Sequence, residues 1–244
     1  MPLFVLSLII QACLIVHVIK TGRDQKWIML LTFLPGIGAA IYIFVELAPE
    51  FLSSSQGRAA SKQVRDTLNP HKDLKEASKE YELSSTVANA NKLAAELKSK
   101  GQFDAASELY RDSLTGLNEF NPDTMHELAQ CEFELNNHVE VNTLLDSLIE
   151  HNPEYKNQDA HLLYARNLQQ LGDIDKAKEE YEALVVYYTG PEPTYRYGML
   201  LKEAGDTAGA QQQFESVIKK ADLTAKHYRV MHKQWIDLSR KELP

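Results

Sequence analysis

Hydrophobic positions divide the chain into two parts with different patterns. Residues 3–19 are apolar apart from Ser7, Gln11 and His17, and a second apolar run covers residues 27–48. At a rise of 1.5 Å per residue, helices over these runs would measure about 25 and 33 Å, against roughly 30 Å of bilayer hydrocarbon. The pattern therefore predicts a two-helix transmembrane hairpin.

The residues between the two apolar runs favour the same interpretation. Lys20, Arg23 and Lys26 fall in the predicted turn, within reach of lipid headgroups, and Trp27 begins the second run at interface depth. A cleaved signal peptide is the alternative, but no basic segment precedes the first run and a second run follows at once. We therefore expect residues 1–48 to be retained as a membrane anchor.

Residues 49–85 are polar and rich in Lys and Glu. A break is predicted at residues 53–57, where three serines precede Gln and Gly, and helical spacing of opposite charges follows. These features predict a partly helical stalk with a solvated surface.

From residue 86 onward, similar turns recur. They begin at Gly101, Asn137, Gly172 and Gly205, which lie 36, 35 and 33 residues apart. A period of about 34 residues is that of the tetratricopeptide repeat (TPR), a unit of two antiparallel helices. Gly and Asn tolerate the left-handed backbone that ends the first helix of such a unit. The sequence thus predicts about four TPR-like repeats over residues 86–224.

Side-chain size around each turn supports this register. The repeat places small residues seven before and five after the turn glycine, where its two helices touch, and a bulky residue nine after it. Three turns follow the rule, with Ala94, Ala106 and Tyr110, then Ala165, Ala177 and Tyr181, then Gly198, Ala210 and Phe214. Counted from Asn137, the second repeat has Gln130, Asn142 and Asp146 instead and is predicted to be degenerate.

The end of the chain carries Tyr228, Met231, Trp235 and Leu238 at helical spacing. A terminal repeat needs its exposed core surface covered, so residues 225–244 are predicted to form a capping helix. The predicted fold is all-α: a transmembrane hairpin followed by a right-handed TPR-type α-solenoid.

Composition excludes several classes of function. A net charge of -8 without a clustered basic surface argues against nucleic-acid binding. The two cysteines, Cys13 and Cys131, cannot form a disulfide framework or a four-ligand zinc site, and the eight histidines show no metal-binding spacing. We expect no cofactor, no metal and no small-molecule substrate.

Two resemblances cover most of the chain. The motifs GRDQKW at residues 22–27 and FLPGIG at 33–38, with Tyr42, resemble the two-helix leader of phospholipase-D-type cardiolipin synthases, but the catalytic His-x-Lys-x₄-Asp motif of those enzymes is missing. The leader, the stalk and residues 161–166 and 227–237 together resemble a family of bacterial TPR membrane proteins without established activity. This resemblance implies a place in the bacterial cytoplasmic membrane and no catalytic residue.

A stack of helical hairpins leaves its first helices lining a concave groove suited to an extended peptide or a partner helix. Counting back from the turns gives these groove-facing candidates: Asn91, Ala95, Lys98, Glu127, Cys131, Glu134, Leu162, Arg166, Gln169, Tyr195, Met199 and Lys202. Arg166, Tyr195 and Met199 are the predicted anchors for an apolar or acidic segment.

The expected function is a membrane-anchored, non-catalytic adaptor that binds another protein. A self-associating structural subunit is one alternative, and an enzyme acting on lipid or envelope polymer, with Glu127 and Glu134 as acid and base, is another. Basic residues in the turn favour a turn on the cytoplasmic side, whereas basic residues in the stalk favour repeats on the cytoplasmic side. The positive-inside rule therefore does not decide which side of the membrane holds the repeats.

Overall fold

The computed structural model describes residues 2–34, 36–53 and 71–243. It divides into two compact units, Met1–Asp73 and Leu74–Pro244. Every regular element among the described residues is helical. Residues 54–70, which include most of the predicted break at 53–57 and part of the predicted stalk, lie outside the described residues.

The N-terminal unit consists of short helices that follow one long helix. Its elements are α1 (Pro2–Thr21), α2 (Lys26–Phe33), α3 (Ile37–Tyr42), a π-helical turn (Ile43–Leu47) and α4 (Ala48–Ser53). Leu14 and Val18 of α1 pack with Leu31 of α2 and Tyr42 of α3 in a small buried cluster. Helices α1 and α2 therefore pack against each other.

Polar contacts connect the turn between α1 and α2 to the residues after α3. Arg23 forms ion pairs with Glu46 and Glu50, and the indole Nε1 of Trp27 donates a hydrogen bond to Glu46 at 3.2 Å. The ring Nδ1 of His17 lies 2.9 Å from the Tyr42 hydroxyl. Arg23 is one of the turn residues predicted to lie within reach of lipid headgroups. In the structure its partners are side chains of the protein.

The second apolar run is not one continuous helix, because α2 ends at Phe33 and α3 begins at Ile37. Gly36, with a φ of 88°, lies in this break. Among the residues that the structure describes, no helix has both the length and the apolar composition needed to cross a bilayer. The expected pair of spanning helices is therefore not found in this part of the chain.

The C-terminal unit begins with α5 (Lys72–Leu83) and continues as four antiparallel helix pairs. The pairs are α6 (Val87–Ser99) with α7 (Phe103–Ser113), α8 (Pro122–Glu134) with α9 (His138–His151), α10 (Gln158–Leu171) with α11 (Ile174–Tyr187), and α12 (Glu192–Glu203) with α13 (Thr207–Leu223). Side chains of Thr86, Asn121 and Asn157 accept hydrogen bonds from backbone N–H groups and so define the starts of α6, α8 and α10. We call each pair a repeat, with a first and a second helix.

All four repeats turn in the same way. Gly101, Asn136, Gly172 and Gly205 have φ values of 73°, 61°, 79° and 85°, and in each case the next N–H bonds back to a carbonyl five residues earlier. The left-handed residue of the second turn is therefore Asn136, and the register predicted from Asn137 is wrong by one residue. Asparagine is the residue other than glycine that this conformation tolerates best, so either of the two adjacent asparagines fits the sequence rule.

With the register corrected, the second repeat has a small residue before its turn and apolar residues at the two positions after it. Counting from Asn136 gives Ala129, Val141 and Leu145, which are 0, 0 and 2 % exposed. Equivalent positions in the other repeats are also buried. The closest approach is at Gly198, where an added Cβ would lie 2.6 Å from the Phe214 ring. The polar residues Gln130, Asn142 and Asp146 that made the second repeat look degenerate therefore do not occupy these three positions.

The predicted capping helix is present in two pieces, α14 (Lys226–Met231) and α15 (Lys233–Lys241). Ile236 of α15 is buried against Val217 and Ala221 of α13, so this helix does cover the last repeat. Met231 was predicted to face the same way but is 64 % exposed, because the chain bends at His232 between the two helices.

Candidate protein-binding groove

The first helices of neighbouring repeats contact one another through polar side chains. Asn91 Nδ2 of α6 donates to the Thr124 hydroxyl of α8 at 2.9 Å. Lys98 donates to Gln130 Oε1 at 2.6 Å and forms an ion pair with Glu127. Two of the predicted groove residues, Lys98 and Glu127, are thus partners of each other across the first two repeats.

The corrected register changes which residues of the second repeat face the groove. Sequence counting assigned the groove positions of this repeat to Glu127, Cys131 and Glu134. In the corrected register these positions belong to His126, Gln130 and Phe133. Cys131 is 0 % exposed in the core cluster of the first two repeats, and burial raises the pKa of its thiol to about 11. Cys131 therefore serves packing and is not available as a nucleophile or as a groove contact.

His126 and Gln130 join this polar network. The ring Nε2 of His126 lies 2.8 Å from Gln130 Nε2, and Gln130 in turn accepts the hydrogen bond from Lys98. Burial lowers the pKa of His126, so its ring is neutral at physiological pH. These two residues were not identified from the sequence. An error of one residue in a helix turns the predicted direction of each side chain by about 100°, so their neighbours were assigned to the groove.

Arg166 has a different environment from the other cations of the groove. Its guanidinium carbon lies 4.5 Å from the centroid of the Phe133 ring, a cation–π contact between the second and third repeats. Burial, followed by the positive charge of Arg196, lowers the pKa of Arg166. Within the described part of the chain Arg166 makes no ion pair, whereas Lys98, Arg196 and Lys202 each have a carboxylate partner.

A cavity of about 520 Å³ opens beside Arg166. Lys98, Gln130 and Glu134 line it from the first two repeats. Asp159, Leu162 and Arg166 line it from the third repeat, and Glu192 from the fourth. This volume falls within the usual range for a site that accepts a small ligand or a few side chains. The structure therefore brings Lys98, Glu134 and Arg166 of the predicted set to one place.

The predicted groove residues of the fourth repeat contact the protein itself. Tyr195 packs on Trp235 of α15, with ring centroids 5.5 Å apart, and Lys202 forms an ion pair with Glu242 at 2.6 Å. Met199 packs against the core cluster of the last two repeats. The C-terminal helix thus occupies the surface that was predicted to bind a partner through Tyr195, Met199 and Lys202.

Gln169 links the third repeat to its neighbours. Its Nε2 donates to Glu203 of α12 at 3.3 Å, and its Oε1 accepts from the Tyr181 hydroxyl at 3.3 Å.

The two carboxylates considered as an acid and a base have unlike surroundings. Glu127 pairs with Lys98 and lies 3.4 Å from the Tyr110 hydroxyl, whereas Glu134 is at the open edge of the cavity. Among the described residues, no group of three His, Cys, Asp or Glu side chains could hold a metal ion.

Comparison with known proteins agrees with the geometry of the repeats. Residues 159–190 and 195–222 match the model of the tetratricopeptide repeat. No curated protein matches the chain. A thermophilic TPR protein of Thermus thermophilus is 16 % identical and gives a TM-score of 0.51, with 67 % of this chain and 88 % of that chain covered.

A second similar structure is YrrB, described as a TPR protein with an unusual peptide-binding site. It is 16 % identical with a TM-score of 0.51, and the alignment covers 80 % of this chain and 96 % of that one. At this level of identity the similarity establishes the fold alone. The helix pairs α6 to α13 form a TPR-type α-solenoid, and its last two pairs match the tetratricopeptide repeat itself.

Proposed function

We propose that this protein is a non-catalytic scaffold whose first three repeats hold a segment of a partner polypeptide in their groove, with Arg166 as the anchor. The observation that carries the proposal is the half-buried guanidinium of Arg166, which lies on Phe133 and has no carboxylate partner among the described residues. A half-buried guanidinium with no carboxylate at ion-pair distance can form a charge-assisted hydrogen bond with a carboxylate that a partner brings.

The surroundings of Arg166 define the rest of the ligand. Three carboxylates line the same cavity and would repel a second acidic residue of the ligand; they belong to Glu134, Asp159 and Glu192. Leu162 offers an apolar surface and Gln130 a polar one. A preferred segment therefore carries one acidic residue with uncharged neighbours. Specificity of this kind depends on repulsion of the wrong sequence as much as on attraction of the right one.

Selection of peptides from a displayed random library on the immobilised full-length protein tests this proposal. We expect the selected peptides to share one Asp or Glu flanked by uncharged residues, and Arg166→Glu to remove that preference. Arg240→Glu is the matched control, since Arg240 is half exposed on α15 and pairs with Asp237 outside the groove. Selection of the same sequences by wild type and Arg166→Glu would overturn the proposal.

We also propose that the N-terminal unit associates with a bilayer, at the bacterial cytoplasmic membrane, which would make the scaffold a membrane-bound one. Its described surface is unusually apolar, and the support comes from side chains such as Ile19, Met29, Phe33 and Phe44, which are 63, 63, 76 and 76 % exposed. So many exposed apolar side chains in one small unit are consistent with a membrane contact.

Flotation of the full-length protein with phospholipid vesicles tests the bilayer contact. Wild type is expected to float with the vesicles, and the double variant Phe33→Asp/Phe44→Asp to float at least about tenfold less, since each charged residue at such a surface costs roughly 2.5–3.5 kcal/mol. The double variant Leu83→Asp/Leu117→Asp changes exposed leucines of the other unit and should float like wild type. The proposal is contradicted if all three proteins float equally or if none of them floats.

A further inference from the structure

A second cavity shares no lining residue with the groove cavity. It is a cleft of about 650 Å³ between the second and third repeats, lined by α9, α10, α11 and the loop before α10. Leu145, Leu148 and Ile149 of α9 and Ala160 of α10 form its apolar wall. A volume of this size is typical of sites that hold a small molecule. We call this the apolar cleft.

The apolar cleft has a local cause in the sequence. Leu145 stands at the bulky position of the second repeat, where the other three repeats have Tyr110, Tyr181 and Phe214. A leucine side chain fills less space than an aromatic ring and leaves the second and third repeats less completely packed on that side. Leu145 itself lines the cleft, so the smaller residue and the open space coincide.

The polar side chains that α10 and α11 bring to the cleft are bonded within the protein. The ring Nδ1 of His161 lies 2.5 Å from the Tyr187 hydroxyl, and its Nε2 lies 2.5 Å from the carboxylate of Glu180. Tyr164 donates a hydrogen bond to Asp146 at 2.9 Å. Glu180 is the acidic residue that lines the cleft, so this carboxylate already has a hydrogen-bond partner.

The polar side chains at the start of α10 are bonded as well. The Tyr155 hydroxyl donates to Asp123 at 2.9 Å and accepts from Asn157 Nδ2 at 2.9 Å. Gln158 Nε2 donates to the Thr189 hydroxyl at 3.1 Å, and Gln158 Oε1 accepts from the backbone N–H of Thr189 at 3.2 Å. A ligand in the apolar cleft therefore needs no hydrogen-bonding group opposite these side chains.

Lys156 differs from the other polar residues of the cleft. It is exposed in the loop before α10, and within the described part of the chain its ammonium group forms no ion pair. The next residue, Asn157, is the N-cap of α10, and the start of a helix carries a partial positive charge. Asp159, in the first turn of α10, accepts from the Tyr188 hydroxyl at 2.7 Å and lines the groove cavity instead. This end of the cleft therefore attracts an anion.

We infer that the apolar cleft binds a fatty acid, with its alkyl chain along Leu148 and Ile149 and its carboxylate at Lys156. The chain matches an apolar wall, and its burial removes apolar surface from water. One lysine balances the single charge of a carboxylate, whereas a phosphate monoester carries nearly two charges. A cationic ligand would be repelled by Lys156 and would find Glu180 already bonded.

A peptide fits the apolar cleft less well than an alkyl chain does. Backbone N–H and C=O groups need hydrogen-bond partners when they leave water. The polar side chains that line the cleft are already bonded, apart from Lys156, which offers donors alone. The cleft and the groove therefore accept different ligands, and binding in the cleft requires nothing of Arg166.

Photolabelling of the full-length protein tests this inference. The probe is dodecanoate with a diazirine near the end of its chain, kept below its micellar concentration, and mass spectrometry of the digested protein locates the label. We expect label in the peptides that contain residues 145–164 and 180–187, and competition by dodecanoate without the diazirine. Dodecylamine has a chain of the same length and the opposite charge, and should compete at least about tenfold less well.

Two variants separate the charge from the space. Lys156→Glu should lower labelling of these peptides about tenfold or more, because repulsion replaces attraction at the carboxylate. Lys226→Glu changes an exposed lysine of α14 that does not line the cleft, so this matched control should be labelled like wild type. Leu145→Phe introduces the aromatic ring of the other repeats and should also lower the label, with circular dichroism to check the helical fold.

Label confined to residues 2–53, or equal competition by dodecanoate and dodecylamine, would overturn the inference. Equal labelling of Lys156→Glu and Lys226→Glu would overturn it too. If Leu145→Phe does not fold, Lys156→Glu decides, because Lys156 is exposed and its replacement leaves the core unchanged.

Discussion

Replacement of Tyr181 with alanine is expected to lower the free energy of unfolding of the repeat unit by about 3–5 kcal/mol. Tyr181 is fully buried in the largest cluster of the core, at the bulky position of the third repeat. Its ring lies 6.3 Å from that of Tyr197 in a stacked arrangement, so it joins the third repeat to the fourth. Alanine would leave a cavity at the joint between two repeats, where neighbouring units depend on each other.

Thermal unfolding followed by circular dichroism measures this effect. A loss of this size should lower the midpoint by about 10 °C in a chain of this length. Tyr187→Ala, on the same helix but 51 % exposed, is the matched control and should change the midpoint by no more than a few degrees. Similar midpoints for the two variants would contradict the assigned register of α11.

Replacement of Arg111 with methionine is expected to cost about 2–3 kcal/mol, although Arg111 lies at the surface. Its guanidinium Nη2 donates to Glu132 at 2.6 Å, and the side chain of Glu132 is only 2 % exposed. Ser107 and Asn137 also donate to this carboxylate. Methionine keeps the packing of the Arg111 stem but leaves a buried negative charge without its cation.

Urea unfolding compares Arg111→Met with a variant that loses only a surface ion pair. Arg240 has the same side-chain exposure as Arg111, 51 %, but its partner Asp237 is 39 % exposed at 3.5 Å. Arg240→Met should therefore change the free energy of unfolding by less than about 1 kcal/mol. Combining Arg111→Met with Glu132→Gln should recover much of the loss, because no buried charge then remains. Equal effects of the two single arginine variants would refute this account of Glu132.

The repeat architecture was predictable from the sequence because it depends on local features. Turn residues with left-handed backbones and small residues at helix contacts recur with the period, and Gly172, Ala165 and Ala177 mark the third repeat without ambiguity. The second repeat was placed one residue late, since Asn136 and Asn137 fit the turn equally well by type. Only the backbone conformation distinguishes them, with Asn136 at a φ of 61°.

The groove was less predictable because its accessibility depends on contacts between distant residues. Periodicity identifies which face Tyr195 and Lys202 share, but it does not reveal that Trp235 and Glu242 return to cover that face. The predicted acid–base residue Glu127 is likewise an internal partner of Lys98. Arg166 is the predicted anchor that keeps an open cavity beside it and no carboxylate partner among the described residues.

The N-terminal unit shows the limit of hydropathy as a guide. Two apolar runs predicted two membrane-spanning helices, but the second run is divided between Phe33 and Ile37, where Gly36 has a φ of 88°. Gly38 also lies so close to the Leu30 carbonyl that an added Cβ would be 2.5 Å from its oxygen. Such close packing of α3 against the end of α2 has no signature in the average hydrophobicity of the run.

Photo-crosslinking in the cells that produce the protein tests the scaffold directly. A photoreactive amino acid replaces Glu134, which is exposed at the edge of the groove cavity, or Gln211, which is exposed on the second helix of the fourth repeat. We predict a discrete protein adduct from position 134, its loss when Arg166→Glu is added, and no adduct from position 211. An adduct at position 134 that persists with Arg166→Glu, or adducts only at position 211, would contradict binding in the groove.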